Sequence, residues 1–148
     1  MTERPSWDEY FLTLAKAIST RATCKRAQHG CIIVRDRVVL TSGYNGSPRG
    51  FPHCLEIGCK MLNGHCMACE HAERNAIYQA ARHGCPSLSN TTAYVTGAPC
   101  IPCLRALICI GVERIVYRKD GHYAYPLEEE IIRQHFIKES GIEITEIA

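Results

Sequence analysis

His71-Ala72-Glu73 and, further on, Pro99-Cys100-Ile101-Pro102-Cys103 are the two stretches from which the rest of the chain is read. An imidazole, a carboxylate two residues later and a Cys-x-x-Cys pair make an incomplete tetrahedral zinc set. Three protein ligands, His71, Cys100 and Cys103, leave the fourth position for water, the arrangement of a catalytic rather than a structural zinc. Glu73 is not needed as a ligand and is placed to handle the proton that the metal makes labile. A Cys-x-x-Cys pair alone is also the spacing of a redox couple or of half a structural zinc site. The flanking residues argue against both. His71 opens the helical run Ala-Glu-Arg-Asn-Ala-Ile-Tyr-Gln-Ala-Ala-Arg, Cys100 opens Ile-Pro-Cys-Leu-Arg-Ala-Leu-Ile-Cys-Ile, and Pro99 stops the strand before it. Two helix N-termini then face one metal, and their unpaired N–H groups and positive dipole ends favour thiolate and hydroxide.

Outward from these stretches the periodicities predict the remaining elements. Ser6-Trp7-Asp8-Glu9 is a capping box, and Tyr10, Phe11, Leu14, Ala17 and Ile18 share one face, so a first helix runs from residue 7 to about 20. Cys31-Ile32-Ile33-Val34 and Val38-Val39-Leu40-Thr41 form a hairpin across Arg35-Asp36-Arg37. Gly43 to about residue 69 is irregular, and a loop of that length within a domain is generally functional or disordered. Helices follow over His71 to about His83, Cys100 to Ile110 and Leu127 to Lys138, stopped by Gly84 and Gly111 in the first two cases. Strands are expected at Thr92–Thr96, Arg114–Tyr117 and Ile142–Ile147. Five strands with interleaved helices predict one α/β domain, layered α/β/α, over residues 1–148.

Composition narrows the function classes. A chain of 148 residues with 46% hydrophobic and 22% charged residues is that of a soluble globular protein long enough for a proper core. It has no apolar run near the ~20 residues of a membrane span and no signal-peptide core. A formal charge of +2 gives no argument for a nucleic-acid partner. Ten cysteines without a secretory signal, many of them near histidines, read as metal ligands in a reducing cytoplasm. Cys31, Cys85 and Cys109 are expected to pack.

The pattern H-x-E…P-C-x-x-C is the signature of zinc nucleobase deaminases. Over nearly its whole length the chain resembles the deoxycytidylate (dCMP) deaminases of that superfamily. The matching blocks are Trp7-Asp8-Glu9-Tyr10-Phe11, Cys24-Lys25-Arg26 ahead of Gly30, Gly43-Tyr44-Asn45-Gly46-Ser47-Pro48-Arg49-Gly50, His71 to Ile77, Tyr94-Val95-Thr96 and Pro99-Cys100-x-x-Cys103. Gln28-His29 departs from the family, which often has an apolar residue before that glycine, and Cys69-Glu70 departs just before His71. The resemblance implies the cytidine-deaminase-like fold with a five-stranded mixed sheet. It implies hydrolysis of dCMP to dUMP and ammonia, supplying dUMP for thymidylate synthesis, with Glu73 moving protons from water to N3 and to the leaving amino group. Ala72 would offer its N–H to substrate, Asn45 would contact the sugar hydroxyl or base, and Arg26 or Lys25 would reach the 5′-phosphate. Asn45 also suits a turn, and both cations suit a solvated loop. The family's use of dCTP as activator and dTTP as inhibitor implies an effector site at Gly43, Tyr44, Asn45, Gly46, Arg49 and Gly50, in a homo-oligomer, commonly a hexamer. Other readings remain open: a deaminase of CMP, dCTP, another base or tRNA, or a non-catalytic zinc-stabilised binding module.

A second, structural zinc is the remaining expectation. In the phage-type branch of the family, cysteines placed like Cys24 and Cys54 bind zinc with a histidine from the loop before His-x-Glu, and His65 occupies that place. Cys66 is taken as the fourth ligand, with Cys59 and Cys69 as alternatives. Independently, a long loop with little apolar content cannot offset its ordering entropy by burial, whereas four-coordinate zinc can.

Overall fold

The computed structural model describes residues 3–119 and 124–148; part of the Gly-, Tyr- and Pro-rich connector lies outside them. In chain order the elements are α1 (Trp7–Ser19), β1 (Gly30–Arg35), β2 (Val38–Tyr44), α2 (Cys54–Ile57), β3 (Met61–Leu62), β4 (His65–Cys66), α3 (Ala72–Arg82), β5 (Thr91–Val95), α4 (Ile101–Cys109), β6 (Val112–Arg118), α5 (Leu127–Ser140) and β7 (Glu143–Ile147). The five expected strands form one mixed sheet in the order β2-β1-β5-β6-β7. β1 runs antiparallel to both β2 and β5, while β5, β6 and β7 are mutually parallel. The β1–β2 connection is tighter than a three-residue join. Asp36 and Arg37 both take positive φ (52° and 63°), the two-residue geometry whose twist matches the flanking strands.

Period-two alternation along β1 builds the layers. Ile32 and Val34 face α1, packing with Phe11, Leu12, Ala15, Tyr94 and Val116. Cys31 and Ile33 face the other way, toward Ala72 and Ala76 of α3 and Leu104 and Leu107 of α4. Phe136 and Ile137 of α5 close the same side. The chain is therefore a three-layer α/β/α sandwich with a five-stranded mixed sheet, as the strand pattern and the resemblance implied. Gly43 is required where β2 meets α3: a Cβ there would lie 2.3 Å from the Ala76 nitrogen and 2.4 Å from the Ala72 oxygen. That close approach brings the start of α3, and so His71 and Glu73, against the sheet edge.

Ser6 caps α1 by accepting the Glu9 N–H at 3.2 Å. The helix is then clamped to the sheet through Asp8, which accepts two hydrogen bonds from Arg114 (2.9 and 2.7 Å) and one from the Tyr94 hydroxyl (2.8 Å). The Arg114 guanidinium, with help from Tyr94, holds the Asp8 carboxyl below its usual value. A carboxylate of lowered pKa stabilises the fold above its unfolded pKa, and this is lost as pH falls through the folded value. Asp8→Asn is expected to lower stability by about 1 kcal/mol at pH 7, the size of a good bidentate pair that is partly exposed. The gap from the parent chain should close below pH ~4 in denaturant titrations. A gap that persists at pH 2 would locate the effect elsewhere.

Candidate active site

His71 and Cys100 occupy the N-cap positions of α3 and α4, yet neither side chain caps its helix. N-cap side chains ordinarily accept a first-turn N–H. Here they turn toward each other, and the His71 Nδ1 lies 3.4 Å from Cys100 Sγ and 3.4 Å from Cys103 Sγ. Tetrahedral zinc with ordinary Zn–N and Zn–S bonds separates N and S by about 3.6 Å, so the donor set fits zinc in spacing and in chemistry. The His71 N–H donates to Glu70 Oε1 at 3.0 Å, and Glu70 is itself held by Arg74 and by the Tyr78 hydroxyl. Cys103, then the His71 ring, hold Cys100 as a thiolate, lowered to about 4.

Glu73 is 6% exposed, one residue into α3, and burial pushes its carboxyl pKa up. A carboxyl whose proton affinity burial raises is suited to both taking and giving a proton. It opens into a cavity of about 340 Å³ whose walls include His29, Asn45, His71, Ala72, Ala98 and Cys100, a size that fits one nucleotide. Ala72 is the first residue of α3, where N–H groups have no partner within the helix. Asn45 is buried and held from both ends: its Oδ1 accepts the His29 N–H at 2.7 Å and its Nδ2 donates to the Ala27 carbonyl at 2.8 Å. It thus ties the 27–29 segment to β2 while keeping one lone pair and one proton for a ligand. Of the two basic candidates, Arg26 lines the cavity and Lys25 does not. The N–H groups of Arg26 and Ala27 turn back to the Cys24 sulfur, and Lys25 stands exposed on the outside of that turn.

The second expected cluster is present with a different membership. The sulfurs of Cys24, Cys54, Cys66 and Cys69 all lie within 4.8 Å of one another, with Cys54 3.5 Å from Cys66 and 3.1 Å from Cys69. His65, expected as a ligand, is not in the set. It neighbours Cys66 on β4, where successive side chains point to opposite sides, so one of the two can face the cluster. Cys69 takes the place given to His65. The spacing Cys66-x-x-Cys69 was the available signal. Burial pushes the Cys66 thiol up, but the N–H groups of Cys69 and Ala68 outweigh it and bring it to about 6. Cys59 lies beside the set, 3.6 Å from Cys24. Cys24, His65, Cys66 and Cys69 also line the cavity, so this thiol cluster is one of its walls.

The expected effector loop is largely committed to packing. Gly43 is paired with Cys31 in the sheet, and the Gly46 N–H donates to the Glu70 carbonyl at 3.1 Å. Those two glycines cannot cradle phosphate; Tyr44, Pro48, Arg49 and Gly50 are the exposed residues of the stretch. Three contributors went unread in the sequence. The Tyr125 hydroxyl donates to Ala98 at 2.8 Å and its ring lines the cavity. Arg133, 2% exposed on α5, donates to the Pro99 carbonyl at 3.0 Å and so braces the turn into Cys100. His29 is the third.

Residues 5–119 match the family described as the cytidine and deoxycytidylate deaminase zinc-binding region. The chain is 37% identical over 145 residues to ComE operon protein 2 of Bacillus subtilis, covering 98% of this chain and 76% of that protein. It is 34% identical over 151 residues to the deoxycytidylate deaminase of Saccharomyces cerevisiae, covering 98% of this chain and 46% of that one, so it spans about half of that relative's length. The crystal structure of dCMP deaminase from the cyanophage S-TIM5 in complex with dCMP and dUMP superposes with a TM-score of 0.79 at 26% identity, covering 99% of this chain and 100% of that chain.

Proposed function

The chain belongs to the cytidine and deoxycytidylate deaminase family, and we propose that it hydrolyses dCMP to dUMP and ammonia, supplying dUMP for thymidylate synthesis. The observation that carries this reading is the convergence of His71, Cys100 and Cys103 beside a cavity lined by the buried Glu73 and by Arg26. Zinc held by those three ligands supplies a Lewis acid that brings the pKa of water toward neutrality. Glu73 takes one proton from the attacking water and passes it to N3 of the cytosine ring, then takes the second from the hydroxyl formed on C4 and gives it to the amino group, which leaves C4 as ammonia. The Ala72 N–H orients the base, and Arg26 pairs with the 5′-phosphate. A second zinc, held by Cys24, Cys54, Cys66 and Cys69, orders the wall that carries Arg26. The reducing cytoplasm is the compartment that keeps both thiol sets available to metal.

With purified zinc-loaded protein, ammonia release is expected to be fastest from dCMP. Its kcat/KM should exceed that of deoxycytidine by roughly 10- to 100-fold, the worth of a charge-assisted phosphate contact. CMP and dCTP are the competing nucleotides in the same assay, and no turnover of any cytosine nucleotide would overturn the reading. Control by dCTP and dTTP in a homo-oligomer, with a hexamer favoured, belongs to the same proposal. Sigmoidal dCMP kinetics that become hyperbolic with dCTP are its expected signature.

A further inference from the structure

His29 has no role in the chemistry above, yet it lines the same cavity as the thiol cluster and the reacting residues. The residue is fixed on three sides. Its N–H donates to Asn45 Oδ1 at 2.7 Å, its carbonyl accepts the Asn45 N–H at 3.3 Å, and its Nδ1 lies 3.1 Å from Thr96 Oγ1. Thr96 Oγ1 accepts the Gly30 N–H at 3.2 Å, and its own single proton can then go to His29 Nδ1. Burial lowers the His29 pKa, which favours the neutral ring. A neutral ring that accepts at Nδ1 carries its proton on Nε2, which is the polar ring atom left for a ligand.

The other residues of the cavity wall tell which part of a nucleotide this donor meets. The reacting carbon must sit beside His71, Cys100 and Glu73, and a phosphate beside Arg26. His29 and Asn45, bonded to each other on the same cavity, are polar groups that neither role uses, and the pentose is the part of the nucleotide that remains. Resting on the deaminase reading above, we propose that His29 is a specificity-determining residue whose Nε2–H donates to a pentose hydroxyl of the bound nucleotide, next to Asn45. The Gly30–Thr96–His29 chain holds that donor in place before substrate arrives, so its contribution falls on binding rather than on the chemical step.

The test compares the parent chain with His29→Val and His29→Gln, all zinc-loaded, on dCMP, CMP and 2′,3′-dideoxycytidine monophosphate. His29→Val is expected to raise KM for dCMP about 10-fold with kcat within about threefold, and to weaken dUMP binding in calorimetry by the same factor. His29→Gln, which keeps an N–H at similar reach, should recover most of the lost affinity. On the dideoxy nucleotide the valine variant should match its parent, because the hydroxyl is already missing. An unchanged dCMP KM in a folded, zinc-replete His29→Val chain would overturn the proposal. So would an equal penalty on all three nucleotides, or a fall in kcat with KM unmoved. A parent chain that turns over no cytosine nucleotide removes the deaminase reading and this inference with it. An active parent with an indifferent valine variant removes the inference alone.

Discussion

Glu73→Gln is expected to lower kcat for dCMP by roughly 10²- to 10⁴-fold, the range that a positioned acid–base group contributes. The substitution keeps the shape of a side chain buried among Cys31, His71 and Cys103, and removes the one group there that can pass a proton in both directions. His71, Cys100 and Cys103 do not depend on Glu73 for their mutual geometry, since the N-cap turns of α3 and α4 and the Glu70 hydrogen bond place them. Metal content should therefore stay at the parent value while turnover collapses, with KM for dCMP changed by no more than a few fold. Kinetics combined with elemental analysis of the same preparation reads both quantities. Loss of zinc together with activity would mean that Glu73 supports the metal set instead of handling protons.

What the sequence made legible was chemistry coded by short spacings. His71-x-Glu73 and Cys100-x-x-Cys103 each sit at a helix start, and local patterns of caps, glycine stops and alternation were enough to place both helices. The five strands followed for the same reason, because β1 is buried on both faces and reads as a continuous apolar run. The walls of the cavity were less legible because they come together from distant segments. Arg133 reaches Pro99 across 34 positions, and Tyr125 reaches Ala98 across 27; no periodicity marks either. His29 could be recognised as unusual where an apolar residue was expected, but its partner Thr96 is 67 residues away, just past the end of β5.

The second metal set shows where analogy misplaced a ligand. Likeness to relatives pointed to His65, whereas strand alternation and the Cys66-x-x-Cys69 spacing point to Cys69. The Gly43-to-Gly50 stretch departed from expectation for a similar reason. Glycine in such a run suits phosphate contact, but Gly43 admits α3 and a Cβ on Gly46 would press on the Thr23 hydroxyl at 2.8 Å. The same residue type serves close packing in one context and ligand contact in another, and sequence pattern alone does not separate them.

Cys69→Ser is expected to reduce the metal content from about two zincs per chain to about one and to leave the His71 set loaded. Four sulfurs converge where residues 45–70 offer only the four-residue helix α2 and a two-stranded hairpin, with Phe51, Leu55, Ile57, Met61, Leu62 and Met67 exposed. Such a segment buries too little apolar surface to offset its ordering entropy, so metal binding supplies much of its folding free energy. Losing on the order of 4 kcal/mol corresponds, for a domain of about this size, to a fall in Tm of roughly 8–16 °C. Because Cys24, Cys66 and Cys69 also wall the cavity, the dCMP KM should rise as well, through Arg26, whose N–H holds the Cys24 sulfur. His65→Ala separates the two assignments. It should keep both zincs and the parent Tm, because His65 lies outside the four-sulfur set, whereas a ligand at that position would cost one metal. Cys109→Ser, on the exposed end of α4, serves as the control for removing a thiol outside either set. Two zincs retained in Cys69→Ser, or one lost in His65→Ala, would return the fourth position to the histidine.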